Sequence, residues 1–439
     1  MSYMKIKLAR QAHAEMVRGV FRLFAGRKPT LKELEKFVAS RASRDAVKAY
    51  IVANGLRKDG NGALENFTGP AGVHFHSYWE LSGNGLCAAW RRQARALADS
   101  GIHVRLSGKG AWGKPDAQAL AEVGHLTTTQ VLPRVTIDCF PLGSEQAIAT
   151  SIQRVTRPRQ IVCTMMERDR IGPSAAAAAN QVDWWLSCPA NVEAFARSGV
   201  QVSRLKVIPV PFFPEDPAIT LVGRQRNVGV PRYYHIGTLC TRKDQARLLL
   251  GFLRAFKPGQ AQLRIKTAGV DAGYPDAERL RVLHLEDERV RNNGWNVNNM
   301  RAPHVEIVHA FWSEDQVIEL HRWGDVYLSI AHGEGWDMPA FAAILAGNML
   351  IYTPSGGPQS FAGEKDLLVR QTGWEVCNSF YSWERDARWI TYDEEHYVEQ
   401  LRVASDNLLP KEQHRDFTPF TAKSVGALMR SYVEPMLGA

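Results

Sequence analysis

Two glycines in the first third of the chain could bring backbone amides close to a phosphate group. Gly83 and Gly85 begin the run GNGLCA, which fits the spacing G-x-G-x-x-A between a strand-like and a helix-like segment. Such a turn binds phosphate through the unpaired N–H groups of a helix N-terminus. A dinucleotide site also needs an acid at the end of the next strand, which here ends VRLSG. We therefore disfavour a NAD site and expect Gly83 and Gly85 to line a cleft or form a structural turn.

Two other phosphate signatures are broken or missing. Residues 108–115 read GKGAWGKP, in which proline replaces the last Ser or Thr of a P-loop and removes a hydroxyl and an amide donor. The chain contains no D-x-D pair, the carboxylates through which many sugar transferases hold a metal-bound diphosphate. We therefore predict no bound metal, so that Lys, Arg and helix N-termini must meet the charge of any diphosphate.

The most specific chemical cluster lies in the second half of the chain. Residues 333–339 read GEGWDMP and follow the strand-like run DVYLSI, so an acid and two glycines fall between a strand and a helix. The basic pair Arg242 and Lys243 follows the predicted strand RYYHIGTL, and Lys266 lies on the predicted strand LRIKTAG. Open α/β sheets bind ligands in the crevice at the carboxyl ends of such strands.

Strand and helix patterns alternate from about residue 65, which predicts two parallel α/β units. The Pro-rich stretch from Pro209 to Pro217 separates the two units. Ahead of them, apolar residues recur at helical spacing, and DGNG at residues 59–62 reads as a linker. With 439 residues, 45% of them hydrophobic, the chain is long enough for two or three domains with real cores.

Composition limits the compartment and the partners. No run approaches the roughly 18 apolar residues of a membrane span, and no secretory signal begins the sequence. Six scattered cysteines without a C-x-x-C pair argue against a zinc ribbon or a disulfide framework and favour a reducing, cytoplasmic setting. The net charge of +9 fits a phosphorylated substrate or an anionic membrane face, or else a merely basic surface. No nucleic-acid signature is present.

Several segments, in order, resemble the retaining GT-B glycosyltransferases of family 4. GEGWDMP, followed by AGNMLI and GGPQSF, is similar to the family's donor-site run E-G-x-G-L-P, then A-x-G-x-P-V-I and G-G-x-x-E-F. IGTLCTRK is similar to its G-R-L-x-x-x-K turn, and TMMERDR to the T-M-x-E-x-D-R segment of one branch. Together with DWWLS, FARSGV and VIP, these segments cover about residues 68–435.

The resemblance implies an α/β fold of the GT-B type, in which two Rossmann-like domains face each other across a cleft. We assign residues 63–220 to an acceptor domain, 221–412 to a donor domain and 413–439 to a helix that crosses back onto the first domain. Residues 1–62 form an N-terminal helical extension; its stretch FRLFAGRKP is similar to modules that precede some bacterial glycosyltransferases.

The resemblance also implies a reaction and its partners. A sugar would pass from a nucleotide-diphosphate donor to a hydroxyl of a glycan or lipid-linked glycan, with retention at the anomeric carbon and without a metal or other cofactor. A lipid-linked acceptor would suit peripheral contact between the basic protein and the inner face of an anionic membrane.

Carried over residue by residue, the resemblance assigns the donor diphosphate to a few cations. Lys243 would neutralise it, helped by Arg242. Lys266 is a weaker candidate, because an exposed strand lysine is an equal alternative. Thr238 stands where the family has arginine and removes one charge from the site.

The resemblance assigns the sugar end of the donor to the GEGWDMP run. Glu334 would lie near the transferred sugar, and the backbone amides of the next four residues would hold its hydroxyls or the phosphate. Those four residues are Gly335, Trp336, Asp337 and Met338. Trp336 would line the pocket or else belong to the core. Glu167 would orient the acceptor hydroxyl from the other domain or else be a buried structural acid.

Two further departures weaken the family pattern. The family's second glutamate, which holds the nucleotide ribose, is Ala342 here, and a methyl group makes no hydrogen bond. Asp337 replaces the second glycine and adds negative charge to an anion site. The favoured hypothesis is an active transferase, and the alternative is a degenerate GT-B protein that binds glycan or scaffolds a partner.

Overall fold

The structure, a computed structural model, contains two α/β domains, each built on a six-stranded parallel sheet. It describes residues 69–77, 85–108, 117–140, 160–222, 229–377, 386–408 and 415–438, and a few isolated positions before residue 69. Gly83 and most of the predicted helical module therefore lie outside the described residues. The predicted α/β class with two Rossmann-like domains is confirmed.

Strands and helices alternate along the first domain. In chain order its elements are β1 (Ala71–Ser77), α1 (Gly85–Asp99), β2 (Val104–Gly108), α2 (Ala117–Thr128), β3 (Leu132–Cys139), β4 (Gln160–Thr164), α3 (Pro173–Ala179), β5 (Asp183–Leu186), α4 (Pro189–Arg197) and β6 (Leu205–Val207). The sheet order is β2-β1-β3-β4-β5-β6, with every neighbouring pair parallel.

The second domain repeats this plan and extends it with an antiparallel pair. Its elements are β7 (Arg232–Ile236), α5 (Gln245–Ala255), β8 (Gln262–Thr267), α6 (Ala277–Val282), α7 (Glu288–Asn292), β9 (Val305–His309), α8 (Glu314–Trp323), β10 (Val326–Ser329), α9 (Met338–Leu345), β11 (Met349–Tyr352), α10 (Pro358–Phe361), β12 (Leu367–Leu368), β13 (Gln371–Val376), β14 (Arg388–Tyr392) and α11 (Glu394–Asp406). The order β9-β8-β7-β10-β11-β12 is the Rossmann order. Strands β13 and β14 pair antiparallel outside it.

Helices cover both faces of each sheet, which explains why the central strands read as unbroken apolar runs. Every residue of β4 and of β10 is buried, so neither strand shows the alternation of a half-exposed sheet. The ends of the helices follow local chemistry. Ser313 and Gln316 form a capping box at the start of α8, each side chain accepting from the other residue's backbone N–H.

The last described helix, α12 (Ala422–Leu437), belongs to the core of the first domain. Its buried residues Val425, Met429 and Val433 pack in one apolar cluster with Trp90 and Leu97 of α1. The two helices approach so closely that a Cβ on Gly426 would lie 2.3 Å from the Ala96 carbonyl oxygen. The chain therefore crosses from the second domain back to the first.

Candidate functional site

A cavity of about 370 Å³ lies between the domains, where the carboxyl ends of their strands meet. The first domain contributes the start of α1 and the loop after β4. The second contributes the turn between β7 and α5 and the loop between β10 and α9. The charged residues of its lining are Glu167, Arg168, Arg242, Lys243, Glu334 and Asp337.

Lys243 lies at the centre of these charges and is almost completely buried. Its Nζ is 2.5 Å from Glu334 Oε1 and 3.6 Å from Asp337 Oδ1. Burial acts to lower the pKa of Lys243, but the two carboxylates outweigh that effect and raise it above the ordinary lysine value. The side chain is therefore a fixed cation inside the cavity.

Arg242 joins the two domains across the cavity. Its Nη1 donates to the Gly333 carbonyl oxygen at 2.7 Å and to Glu334 Oε1 at 2.9 Å. Its Nη2 lies 3.1 Å from Glu167 Oε1 of the first domain. Burial acts against the charge, yet both carboxylates raise the pKa of Arg242 further above its already high value. The guanidinium thus holds one carboxylate from each domain.

The loop between β10 and α9 approaches the first domain so closely that two glycines are required. A Cβ on Gly333 would lie 1.9 Å from the Glu167 carbonyl oxygen, and one on Gly335 would lie 2.6 Å from Met165 Cβ. Ser187 Oγ of the first domain also donates to the Gly335 carbonyl oxygen at 2.7 Å. The domains therefore contact each other through backbone as well as through charged side chains.

Asp337, at the position where the resemblance predicts glycine, has a left-handed backbone conformation. Its φ of 63° lies in the left-handed region, which Asp tolerates better than most residues. The carboxylate caps α9 by accepting from the Ala340 amide at 3.4 Å, and it accepts from Ser329 Oγ at 2.5 Å. The departure from glycine is thus compensated locally by a helix cap and by the ion pair with Lys243.

Glu167 is the carboxylate that the first domain contributes to the cavity. Desolvation raises the pKa of Glu167, and Glu334 adds to this effect while Arg242 opposes it. Solvent reaches 48% of the side chain, so water screens part of these interactions. Glu167 is therefore the carboxylate of this cavity that a second substrate could reach most easily, since Glu334 and Asp337 are buried.

The buried His332 contacts the turn between β7 and α5, which carries Arg242 and Lys243 and is called the basic turn. His332 Nδ1 lies 2.6 Å from the Ile390 carbonyl oxygen, and its Nε2 lies 3.0 Å from Asp244 Oδ2. The ring stacks on Trp389, and its backbone N–H donates to the Arg242 carbonyl oxygen at 2.8 Å. Burial acts to lower the pKa of His332, but Asp244 raises it above the usual range. His332 thus connects the turn, the β10–α9 loop and β14.

The structure distributes the predicted site residues unevenly. Arg242, Lys243 and Glu334 meet Glu167 and Gly85 around the one cavity. Gly335, Trp336, Asp337 and Met338 also line it.

Two predicted residues, Thr238 and Lys266, do not line that cavity, and a third, Trp336, lines it but is almost completely buried. Thr238 is exposed, and Lys266 pairs with Ile236 within the sheet. Lys266 is buried rather than exposed, and desolvation lowers its pKa. The indole of Trp336, only 1% exposed, packs edge-on against Phe341 and Phe361, so this residue belongs chiefly to the core.

Sequence reasoning missed several residues that the structure brings to the site. Arg168 follows Glu167 directly and could have been found as a second cation in the TMMERDR run. No sequence signal indicated His332, Asp244 or Trp389, because each acquires its place through contacts between distant parts of the chain.

The described residues contain no group of three or more His, Cys, Asp or Glu that could hold a metal ion. Nor does any helix in the described part of the chain combine the length and the apolar character needed to cross a bilayer.

Solved structures with this fold include glycosyl-transferring proteins. Sucrose-phosphate synthase from Thermosynechococcus elongatus gives a TM-score of 0.56 at 12% identity over 84% of this chain and 100% of that chain. The lipopolysaccharide outer core galactosyltransferase WaaB gives 0.54 at 13% identity over 83% and 99%. HepE of Anabaena, solved in complex with UDP, gives 0.53 at 12% identity over 83% and 100%.

These comparisons establish the fold as GT-B, and the predicted architecture is confirmed. At such low identity they establish nothing about activity, and the assignment to family 4 stays a prediction. No protein-family profile and no curated protein sequence matches the chain.

Proposed function

We propose that the protein is a glycosyltransferase that takes its sugar from a nucleoside diphosphate. It transfers the sugar, with retention and without a bound metal, to a hydroxyl of a glycan or lipid-linked glycan. The observation that carries this proposal is the position of Lys243, a buried cation beside Glu334 and the N-terminus of α9, in the cavity between two Rossmann-like domains.

The donor diphosphate binds at the basic turn and at the N-terminus of α9. Arg242 and Lys243 supply two fixed positive charges, and the helix N-terminus supplies backbone N–H groups and a favourable dipole. Both cations are paired with carboxylates, with which a bound diphosphate competes. The diphosphate therefore takes over these interactions, and the released Glu334 is free to accept hydrogen bonds from the sugar hydroxyls.

In the transfer step, the bond from the anomeric carbon to the diphosphate oxygen breaks as the bond to the acceptor oxygen forms. The departing diphosphate carries the electron pair, which Arg242 and Lys243 stabilise without reorganisation because their positions are already fixed. The proton of the acceptor hydroxyl passes to an oxygen of the departing diphosphate, and Glu167, with a raised pKa, orients this hydroxyl from the first domain. The closed cleft limits hydrolysis of the donor by water.

Two features of the donor site support a second candidate function. Ala342 lies on α9 against an apolar cluster, so no carboxylate is available there for a ribose. The six charged lining residues balance at three positive and three negative, which weakens the attraction for a free anion. A degenerate GT-B protein that binds glycan without nucleotide would tolerate both features.

Release of nucleoside diphosphate tests the two functions directly. Purified protein is incubated with UDP-, GDP- and ADP-sugars, and free diphosphate is measured with and without EDTA. We expect release from one class of donor, unaffected by EDTA and abolished in Lys243→Ala. The exposed Lys257→Ala, on the loop after α5, is the matched control and should retain full activity.

Nucleotide binding separates the candidates where turnover is slow. Titration calorimetry with UDP, GDP and ADP should give heat for one of them with wild-type protein and none with Lys243→Ala. Oligosaccharide binding without any nucleotide binding would favour the degenerate protein and end the transferase hypothesis.

A further inference from the structure

A second cavity, of about 190 Å³, lies on the other side of the segment that carries Glu167. It shares Met166, Glu167, Arg168 and Trp389 with the larger cavity, so the two are neighbours across this segment. Its volume falls below the roughly 300–1,000 Å³ of pockets that enclose drug-sized ligands. The space suits a single sugar ring rather than a nucleotide.

The antiparallel pair β13–β14 forms one wall of this second cavity. The wall is attached to the first domain by two hydrogen bonds between Asp169 and Arg388. The Arg388 amide donates to Asp169 Oδ1 at 2.7 Å, and the Asp169 amide donates to the Arg388 carbonyl oxygen at 2.8 Å. Both domains therefore hold the cavity in shape, and it exists only in the closed arrangement.

An exposed aromatic ring faces this cavity. Trp374, on β13, keeps 47% of its surface accessible and lines the cavity. Arg197 of α4 lies 5.9 Å from the centre of its ring on the side of the first domain. An exposed tryptophan offers an apolar face with a polar edge, which suits the C–H face of a sugar ring.

The remaining lining offers uncharged hydrogen-bonding groups. Ser355 Oγ is buried without a hydrogen-bond partner among the described residues. The exposed Gln359 makes no side-chain hydrogen bond within the described part of the chain, and Gln371 donates only to the Gly373 carbonyl oxygen, at 3.0 Å. Hydroxyls of a ligand could satisfy all three residues.

The charges at this cavity are mixed and mutually paired, which argues against an anionic ligand. Arg197 donates to the Asp169 carbonyl oxygen at 3.3 Å and lies 3.9 Å from Glu193. Glu167 faces Arg242. In this part of the described structure, no pair of cations without neighbouring acids forms a site for a phosphate.

We infer that the second cavity binds one uncharged sugar unit of the acceptor glycan, with Trp374 stacked on the ring and Gln359 bonded to its hydroxyls. This inference rests on the proposed function, because it supplies that reaction with its acceptor subsite. Glu167 borders both cavities. A glycan bound in the second cavity therefore lies beside the donor cavity, with its next hydroxyl near Glu167.

Binding of simple sugars to the full chain, without nucleotide, tests the inference. The probes are methyl α- and β-glucoside, galactoside and mannoside, measured by saturation-transfer NMR and by quenching of tryptophan fluorescence. We expect at least one of them to bind wild-type protein. Trp374→Ala should weaken this binding by about tenfold or more, as expected for a central aromatic anchor. Gln359→Ala should weaken it by a smaller factor.

Val376→Ala is the matched control, because Val376 lies on the same exposed face of β13 and does not line the cavity. It should bind the glycosides as wild type does. Equal binding by wild type and Trp374→Ala, binding of glucose 6-phosphate alone, or no binding of any methyl glycoside would each overturn the inference.

Nucleotide binding by the same proteins distinguishes this failure from failure of the proposed function. Trp374→Ala should bind UDP, GDP or ADP as wild type does, and in a transfer assay it should raise the acceptor KM without changing the donor KM. If the protein binds a glycoside but no nucleotide, the inferred saccharide site stands and the transferase hypothesis is wrong.

Discussion

Asp337 shows how a single side chain can occupy a glycine position and still keep its backbone conformation. The left-handed φ costs an ordinary residue about 1–2 kcal/mol, and Asp offsets this cost through its cap on α9 and its bonds to Ser329 and Lys243. The same device occurs at Asp244, whose φ is 51° and whose carboxylate caps α5. The β7–α5 turn and the β10–α9 loop carry the charged cluster. Each therefore ends in an aspartate with a left-handed φ that caps the following helix.

Substitutions at Asp337 separate backbone conformation from the side-chain bonds. Asp337→Gly keeps the φ but loses the bond to Ser329 and the ion pair with Lys243, so we expect the free energy of unfolding to fall by about 1–3 kcal/mol, of which the lost cap accounts for only a few tenths. Asp337→Ala loses the cap and also strains the backbone, and it should be lower by about 1 kcal/mol more. Urea unfolding measures both variants. An alanine variant at least as stable as the glycine variant would refute the backbone argument.

His332 should make the stability of the protein fall as pH rises above about 6.5. Its pKa is raised above 6.5 in the folded protein, so the stabilisation by the charged ring is complete below pH 6.5 and is lost as pH rises through the folded pKa. The groups facing it are Asp244, Glu375 and the Ile390 carbonyl oxygen. Melting temperature should therefore fall from about pH 6.5 upward in wild type and change less in His332→Gln.

His235 acts in the opposite direction and serves as an internal reference. Burial and the nearby Lys243 lower its pKa to about 4, so it destabilises the protein only as pH falls below about 6.5. Wild type and His332→Gln should share this acid-side loss. If the melting temperature falls equally above pH 6.5 in the two proteins, His332 does not have the role described here.

At the scale of elements, β13 and β14 depend on the first domain for their position. Asp169 holds the Arg388 backbone through a carboxylate and an amide, and a hydrogen bond to a charged group contributes about 1.5–3 kcal/mol. In Asp169→Ala, hydrogen exchange at the Arg388 amide should be faster by about tenfold to a hundredfold. Asp183→Ala, which removes the ion pair of the half-buried Asp183 with Arg204, should leave this amide protected.

The sequence predicted the elements that carry local signals and missed those that depend on distant contacts. The strands within RYYHIGTL and DVYLSI were predictable, because each is a short apolar run that contains aromatic and β-branched residues. The attachment of β14 was not, since Asp169 and Arg388 are 219 residues apart. The sequence left open whether Lys266 faces the cleft or solvent, and its burial follows from a strand that lies between two neighbours in the sheet.

At the scale of the molecule, the two domains meet so closely that a single methyl group should separate them. In Gly333→Ala the new Cβ would lie 1.9 Å from the Glu167 carbonyl oxygen, against an ordinary contact of at least 3.4 Å. We expect a larger radius of gyration in small-angle scattering and a loss of the Arg242–Glu167 contact. Gly85→Ala, whose Cβ would meet Met338 at 3.6 Å, should scatter as wild type does. Equal scattering by all three proteins would contradict a rigid closed contact.

The return of α12 to the first domain has a consequence for synthesis on the ribosome. Val425, Met429 and Val433 complete a core that includes Trp90, which is made more than three hundred residues earlier. The second domain has all six strands of its parallel sheet by residue 368 and can condense as the chain emerges. The first domain cannot complete its core until translation has passed the whole second domain. Until then an apolar face of α1 stays uncovered. Nascent chains stalled before residue 422 should therefore present a protease-resistant second domain beside a first domain that is still cleaved, although the first domain was translated earlier.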